Sequence, residues 1–196
     1  MKSAIKWTVA ILCVLAVIVL WGVGVYNDLV SAQEDVESSW AQVENQYQRR
    51  ADLVPNLVAT VKGYAKHEQE TLDQVVEARA KATSITIDPT NATPEQLAAF
   101  QSAQGELTQA LGRLLAVAEN YPDLKANQNF LDLQQQLEGT ENRITVARQM
   151  FNDAAKQYNK QIRQFPSNII ARLFDFEKKA YFEAEPGANK APKVEF

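Results

Sequence analysis

The chain has few side chains of the kind that do chemistry by themselves. His67 is the single histidine, and with Glu68 it makes half of a zinc-protease pattern that no second histidine completes. Cys13 is the single cysteine, which excludes an internal disulfide and any multi-cysteine zinc site. No glycine-rich phosphate loop and no G-x-S-x-G turn occur, and Ser38, Ser39 and Ser102 have only His67 to draw on as a base. Carboxylates are plentiful, but on highly charged helices two acids fall near one another without being a catalytic pair. The expectation is therefore no catalytic set, no metal site and no cofactor.

Polar residues on helical spacing are more informative. Glu141, Arg148, Asn152 and Asn159 lie seven, four and seven residues apart, which puts them on one face of a helix. Arg49, Arg50, Asp52, Asn56, Glu68 and Arg79 offer complementary groups on the first long helical stretch, and Glu119 stands near the end of the second. Three readings are open: a solvated flank of weak ion pairs, an interhelical polar network that fixes register, or a surface for a partner. A fourth is a small ligand or catalytic pocket near Pro55 built from Arg49, Arg50, His67 and Glu119, with anions as the natural guests of the arginines.

The elements that would position these groups are helices. Gly and Pro number 7 each in 196 residues, too few for turn-dense sandwiches or barrels. Val36, Trp40, Val43, Tyr47, Val54, Leu57, Val61 and Tyr64 recur at three and four, close to a heptad. Arg50 occupies a position where that repeat wants an apolar side chain. Pro55 predicts a kink near Val54, with the rod continuing through Leu72, Val75 and Val76 to Thr83-Ser84-Ile85-Thr86-Ile87. Thr93, Pro94 and Gln96 form a helix-start signature, opening a helix to about Asn120 whose stripe is Leu97, Phe100, Leu107, Leu111, Leu114 and Ala118, with Gln104 the polar exception. Phe130, Leu137, Ile144, Phe151, Tyr158 and Phe165 define a third rod at strict seven-residue spacing, and Ser167 starts a short helix to about Phe174. The predicted fold is all-α: an elongated antiparallel bundle of three long helices plus a short C-terminal one. An apolar stripe about 75 Å long over ~50 residues calls for cover along its whole length, from the other helices or from a second copy.

Residues 7–26 carry no charge and match the ~20 residues of a bilayer span, longer than a signal-peptide core. Leu12 is too bulky to precede a lipid-modified Cys13, so the run reads as an uncleaved anchor. Lys2 and Lys6 precede it and no Lys or Arg follows until Arg49, so the positive-inside rule puts the N-terminus in the cytoplasm and the body outside. Without those two lysines the chain holds 18 bases against 24 acids, a net of −6, which disfavours nucleic acid as a partner. Phe174, Phe176, Tyr181 and Phe182, interleaved with Lys178 and Lys179, are the stretch suited to touching lipid headgroups, although an acidic body disfavours a membrane-remodelling role.

Residues 49–58, RRADLVPNLV, and 61–68, VKGYAKHE, resemble the LemA family of bacterial membrane proteins. The likeness continues through Ala78-Arg79, residues 119–126 with Phe130, residues 139–144, Ala147-Arg148, Phe151-Asn152, Tyr158-Asn159, residues 165–168, Tyr181-Phe182 and the Val194–Phe196 end. The resemblance implies a single-pass, anchored helical protein without an established enzymatic activity or cofactor, with relatives often encoded near membrane proteases. It also implies the N-terminus outside, opposite to the lysine count. The resulting division is a tail at 1–6, the anchor at 7–26, a LemA-like bundle at 27–182 and an extended tail at 183–196. The expected function is a non-enzymatic, membrane-anchored scaffold or adaptor of the bacterial cytoplasmic membrane and envelope. It would bind the bilayer through residues 7–26, form homo-oligomers through its long helices and engage envelope proteins such as a membrane protease.

Overall fold

A computed structural model describes residues 2–183 of the chain, all of whose regular elements are helices. Helix α1 runs Lys2–Tyr64, α2 Gln69–Ser84, α3 Pro94–Ala118, α4 Pro122–Lys125, α5 Gln128–Gln161 and α6 Ser167–Leu173. Helix α3 starts as its sequence dictates: Thr93 Oγ1 accepts the Gln96 amide while the Gln96 side chain accepts the Thr93 amide, with Pro94 at the first turn. Asn127 caps α5 by accepting the Phe130 amide. The extended tail predicted at 183–196 lies outside the described residues beyond Glu183.

Two antiparallel pairs make the bundle. Helix α5 returns along α1, so that Asn127 at its start bonds Tyr64 while Ala154 near its end and Val25 of α1 pack against the same core cluster. Helices α2 and α3 form a hairpin laid against the outer half of α1. Of the predicted stripe on α1, Tyr64 is 43 % exposed, while Val36, Trp40, Val43, Tyr47, Val54, Leu57 and Val61 are buried. Each of these buried positions is covered by this chain's own helices, so the stripe supplies no demand for a second copy.

The apolar core is divided in two. On the side nearest the apolar N-terminal run, Trp40 meets Phe100, Phe151 and Phe182 at ring-centroid distances of 5.3–5.7 Å. On the far side, Val54, Leu57 and Val61 pack with Val75, Leu107, Leu114, Phe130 and Leu137. Between Tyr47 and Val54, Phe100 and Leu107, and Leu137 and Ile144, the buried residues change character to Arg50, Gln104 and Thr140. A polar layer thus crosses the bundle at one level.

Three predicted features are relocated. The first rod does not run unbroken through Leu72: α1 carries Pro55 within it as far as Tyr64, and the chain breaks at residues 65–68, where the Glu68 amide bonds the Ala65 carbonyl in a tight turn. Helix α5 ends at Gln161 rather than at Phe165, so Phe165, the last member of the seven-residue series, is 81 % exposed instead of sealed in the seam. Of the aromatics assigned to headgroup contact, Phe182 is buried in the Trp40 cluster, as is Lys179 against the Tyr158 ring.

Candidate functional site

Pro55 has no N–H for the carbonyl of Ala51, one turn earlier, and its ring crowds that carbonyl. The orphaned oxygen is not left bare: Arg79 Nε, from α2, donates to Ala51 O at 2.8 Å. The proline therefore creates an acceptor on the flank of α1, and α2 docks on it. This explains how the helix passes the proline unbroken, and it gives Arg79 a specific task. Arg79→Leu is expected to cost about 1–2 kcal/mol by leaving a part-buried carbonyl unpaired. The cost should be much less in a Pro55→Ala background, where the restored backbone N–H at position 55 takes over the bond. Thermal unfolding of the two single variants and the double variant reads this coupling; strictly additive effects contradict it.

Arg50 is the hub of the polar layer. It is 1 % exposed. Its Nη1 donates to Thr108 Oγ1 at 2.7 Å and to Glu141 Oε1 at 2.8 Å, and its Nη2 to the Gln104 carbonyl at 3.0 Å and Gln104 Oε1 at 2.6 Å. The Gln104 amide in turn donates to Ala82 O, near the end of α2. The guanidinium also lies over the Tyr47 ring, 5.1 Å from its centroid. Three helices are joined through one planar cation, and Gln104 extends the tie to α2, a geometry that suits arginine's fixed fork of donors and not lysine's single ammonium.

Asn152 and Asn159, on α5, do something different. Asn159 accepts the Lys179 amide at 2.8 Å and donates to the Lys179 carbonyl at 2.9 Å; Asn152 accepts the Phe182 amide at 2.9 Å and donates to its carbonyl at 3.0 Å. Each asparagine thus mimics a strand partner. Seven helical residues advance about 10.5 Å and three extended residues about 10 Å, so the two pairings match in register, antiparallel to α5. Arg148 continues the row, donating to the Glu183 carbonyl at 3.1 Å with its guanidinium 4.8 Å from the Phe182 centroid. Residues 176–183 are a strap laid along α5.

Burial under the strap shifts two groups. The Tyr158 hydroxyl is buried without a hydrogen-bond partner among the described residues, and desolvation, with the Glu177 charge second, pushes its pKa up to about 12. Desolvation lowers the pKa of Lys179, opposed by Glu37, Asp88 and Glu177, while its ammonium donates to the Thr90 carbonyl at 2.5 Å. A raised tyrosine pKa gives stability present in full below pH ~10 and lost as pH rises through about 12. The lowered lysine acts with the opposite sign on the alkaline side, where stability rises with pH until the unfolded lysine also deprotonates. Tyr158→Phe removes only the first effect. It is expected to gain about 1 kcal/mol at neutral pH by deleting an unpaired buried hydroxyl, with the gain over the native chain widening above pH 10 in thermal melts.

The remaining predicted residues are not brought to this layer. Arg49 is exposed and donates to Gln136 Oε1, Asp52 accepts from Gln48 on its own helix, and Asn56 lies exposed. Glu68 accepts the Tyr121 hydroxyl at 3.1 Å, and Glu119 pairs with Lys125. His67 is exposed in the turn after α1. Arg49, Arg50, His67 and Glu119 therefore face different neighbours, and the pocket imagined near Pro55 is not assembled. A surface groove of about 590 Å³ lies instead between α1 and α5, lined by Asp28, Asp35 and Asp153 among others, and holds none of the four. Gln104, Thr108 and Lys179 were missed as site members. The first had a visible signal, a polar residue inside an apolar stripe.

The fold and the site define a class: a helical bundle with buried polar ties, built on a helix whose first part is long and apolar enough to cross a membrane. Residues 39–196 match the LemA family, and the chain belongs to it. Among curated proteins it is 28 % identical over 181 residues to magnetosome protein MamQ 1 of Paramagnetospirillum magneticum, covering 84 % of this chain and 66 % of that one. It is 27 % identical to magnetosome protein MamQ of Magnetospirillum gryphiswaldense at the same coverage. With protein LemA of Metamycoplasma hominis the identity is 26 % over 162 residues, 83 % of this chain and 70 % of that protein. The chain thus spans about two thirds of the length of these relatives.

Proposed function

We propose that the chain is a non-enzymatic, single-pass scaffold of a bacterial membrane, which holds a rigid helical body at a fixed height and angle for protein partners. The observation that carries this reading is the continuity of α1. The apolar run at 7–26 passes into the core-forming half of the same helix with no loop between them. A soluble enzyme that needs only tethering is served by a flexible linker, whereas an unbroken helix transmits orientation. From Tyr26 to Tyr64 the rod rises roughly 55–60 Å, a stalk along which partners can be arrayed.

The lysine distribution favours the body on the outer side of the membrane. The family likeness and the magnetosome names of the MamQ relatives are consistent with a membrane setting. Because each buried seam is sealed within one chain, self-association would use the exposed face instead, where Val146 and Met150 stand out of α5. Native mass spectrometry of the full-length protein, extracted directly from its membrane in lipid particles, is the test. An assembly with copies of itself or with an envelope protein is expected, and a lone monomer with no cross-linked neighbour overturns the scaffold reading.

A further inference from the structure

The end of the bundle nearest the apolar run carries an exposed apolar surface. Helix α6 packs on α1 at the end of the apolar run: a Cβ placed on Gly22 would lie 3.6 Å from Ile170 Cδ1, and the Tyr26 ring meets Phe174 and Phe176 edge-on at centroid distances of 4.8 and 5.7 Å. Gly22 and Tyr26 belong to the last turns of the 7–26 run, so α6 sits at the height where that run would leave the hydrocarbon. Its other face is apolar and uncovered. Leu173 is 70 % exposed, Ile169 54 % and Phe174 53 %, and Phe165, just before the helix, 81 %. Ile169 and Leu173, four apart, share one side of the helix.

Four large apolar side chains gathered at one end of the body, rather than scattered singly over it, make a contact surface. Arg163 and Arg172 flank it, both exposed, with stems long enough to lie along apolar surface while their heads reach phosphates. Asp175, at φ 55, then turns the chain away from α6 and sends the strap up along α5. We infer that α6 and the turn before it lie in the interfacial layer of the bilayer, with Phe165, Ile169, Leu173 and Phe174 inserted among lipid. This rests on the anchor reading and deepens it, because the body is then held at two points and cannot swivel about α1.

Depth measurement on the full chain tests it. Nitroxide labels are placed singly at Leu173→Cys, Leu15→Cys and Val146→Cys in a Cys13→Ser background. The chain is reconstituted in phosphatidylcholine vesicles with phosphatidylglycerol, and collisions with lipid-soluble oxygen and an aqueous nickel chelate are compared. The oxygen-to-nickel ratio at 173 is expected to exceed that at 146 by about fivefold or more, with 15 deeper still. An aqueous reading at 173 with a lipid reading at 15 overturns the inference and leaves the anchor standing; an aqueous reading at 15 removes the anchor and the inference together. Protection of 173 from both reagents, with dipolar coupling between labels, assigns the face to a second copy and likewise overturns it. Ile169→Asp, a substitution on the exposed face that leaves the core intact, is expected to raise nickel access at 173 severalfold.

Discussion

Glu141→Ala should destabilise the bundle by about 3–5 kcal/mol, more than Arg50→Leu does, although Arg50 is the more deeply buried partner. The asymmetry follows from where each deletion leaves the other charge. Without Glu141, the Arg50 guanidinium stays enclosed, its side chain 2 % exposed, with neutral acceptors and no counter-charge. Without Arg50, Glu141 keeps 35 % of its side chain accessible and turns to water, leaving the Gln104 acceptors as the main loss, about 1–3 kcal/mol. The Arg50→Leu/Glu141→Leu double variant should fall near Arg50→Leu alone, since an apolar pair in place of a buried ion pair is often neutral. Thermal unfolding of the detergent-solubilised chain measures this ordering. For a domain of this size 3–5 kcal/mol corresponds to roughly 10 °C, and equal losses in the two single variants would mean that the ion pair is not what the layer depends on.

Such a layer also fixes register. Leu, Val and Phe stripes slide past one another at modest cost, because their contacts are non-directional. Arg50 can meet Gln104, Thr108 and Glu141 together at only one axial offset of α1, α3 and α5. A slip of one heptad would bury the guanidinium against leucines. The layer lies between the Trp40 cluster and the Val54 cluster, where each half-core is sealed against the other.

Much of this was legible residue by residue. The helix start at Thr93 is local hydrogen-bond chemistry, readable from a few neighbours, and the buried stripes follow from periodicity. Arg50 and Gln104 were each visible as a polar interruption of an apolar stripe. That the two interruptions answer one another is a statement about axial offset between helices 54 residues apart in sequence, which periodicity does not contain. The same limit explains Pro55. Local rules say that proline removes a donor and crowds a carbonyl; whether the helix breaks depends on a rescuing donor, here Arg79, that arrives from another helix. The strap was illegible for a different reason. Asn152 and Asn159 were placed on one face by spacing, but their partners are backbone groups of Lys179 and Phe182, and backbone carries no sequence signal.

Asn159→Leu should release that strap without unfolding the bundle. Leucine matches asparagine in bulk but cannot bond the Lys179 amide, the Lys179 carbonyl or the Tyr181 hydroxyl, all of which Asn159 serves. Two buried backbone groups left unpaired cost about 1–3 kcal/mol each, and a segment with no helix or sheet of its own escapes that cost by detaching into water. A fall of about 3 kcal/mol in the free energy of local opening corresponds to about a hundredfold faster amide exchange at Lys179 and Phe182, with new tryptic cleavage after Lys179, a residue now enclosed. Asn159→Asp keeps an acceptor for the Lys179 amide but loses the donor, so it should fall between the native chain and the leucine variant. Because Phe182 stacks on Trp40 at 5.7 Å, detachment also withdraws one ring from the Trp40 half of the core, and Trp40 emission should shift to longer wavelength in a Trp7→Phe/Trp21→Phe background. Exchange at 179 and 182 unchanged in the leucine variant would mean that aromatic packing of Phe182, not the asparagine ladder, holds the strap to α5.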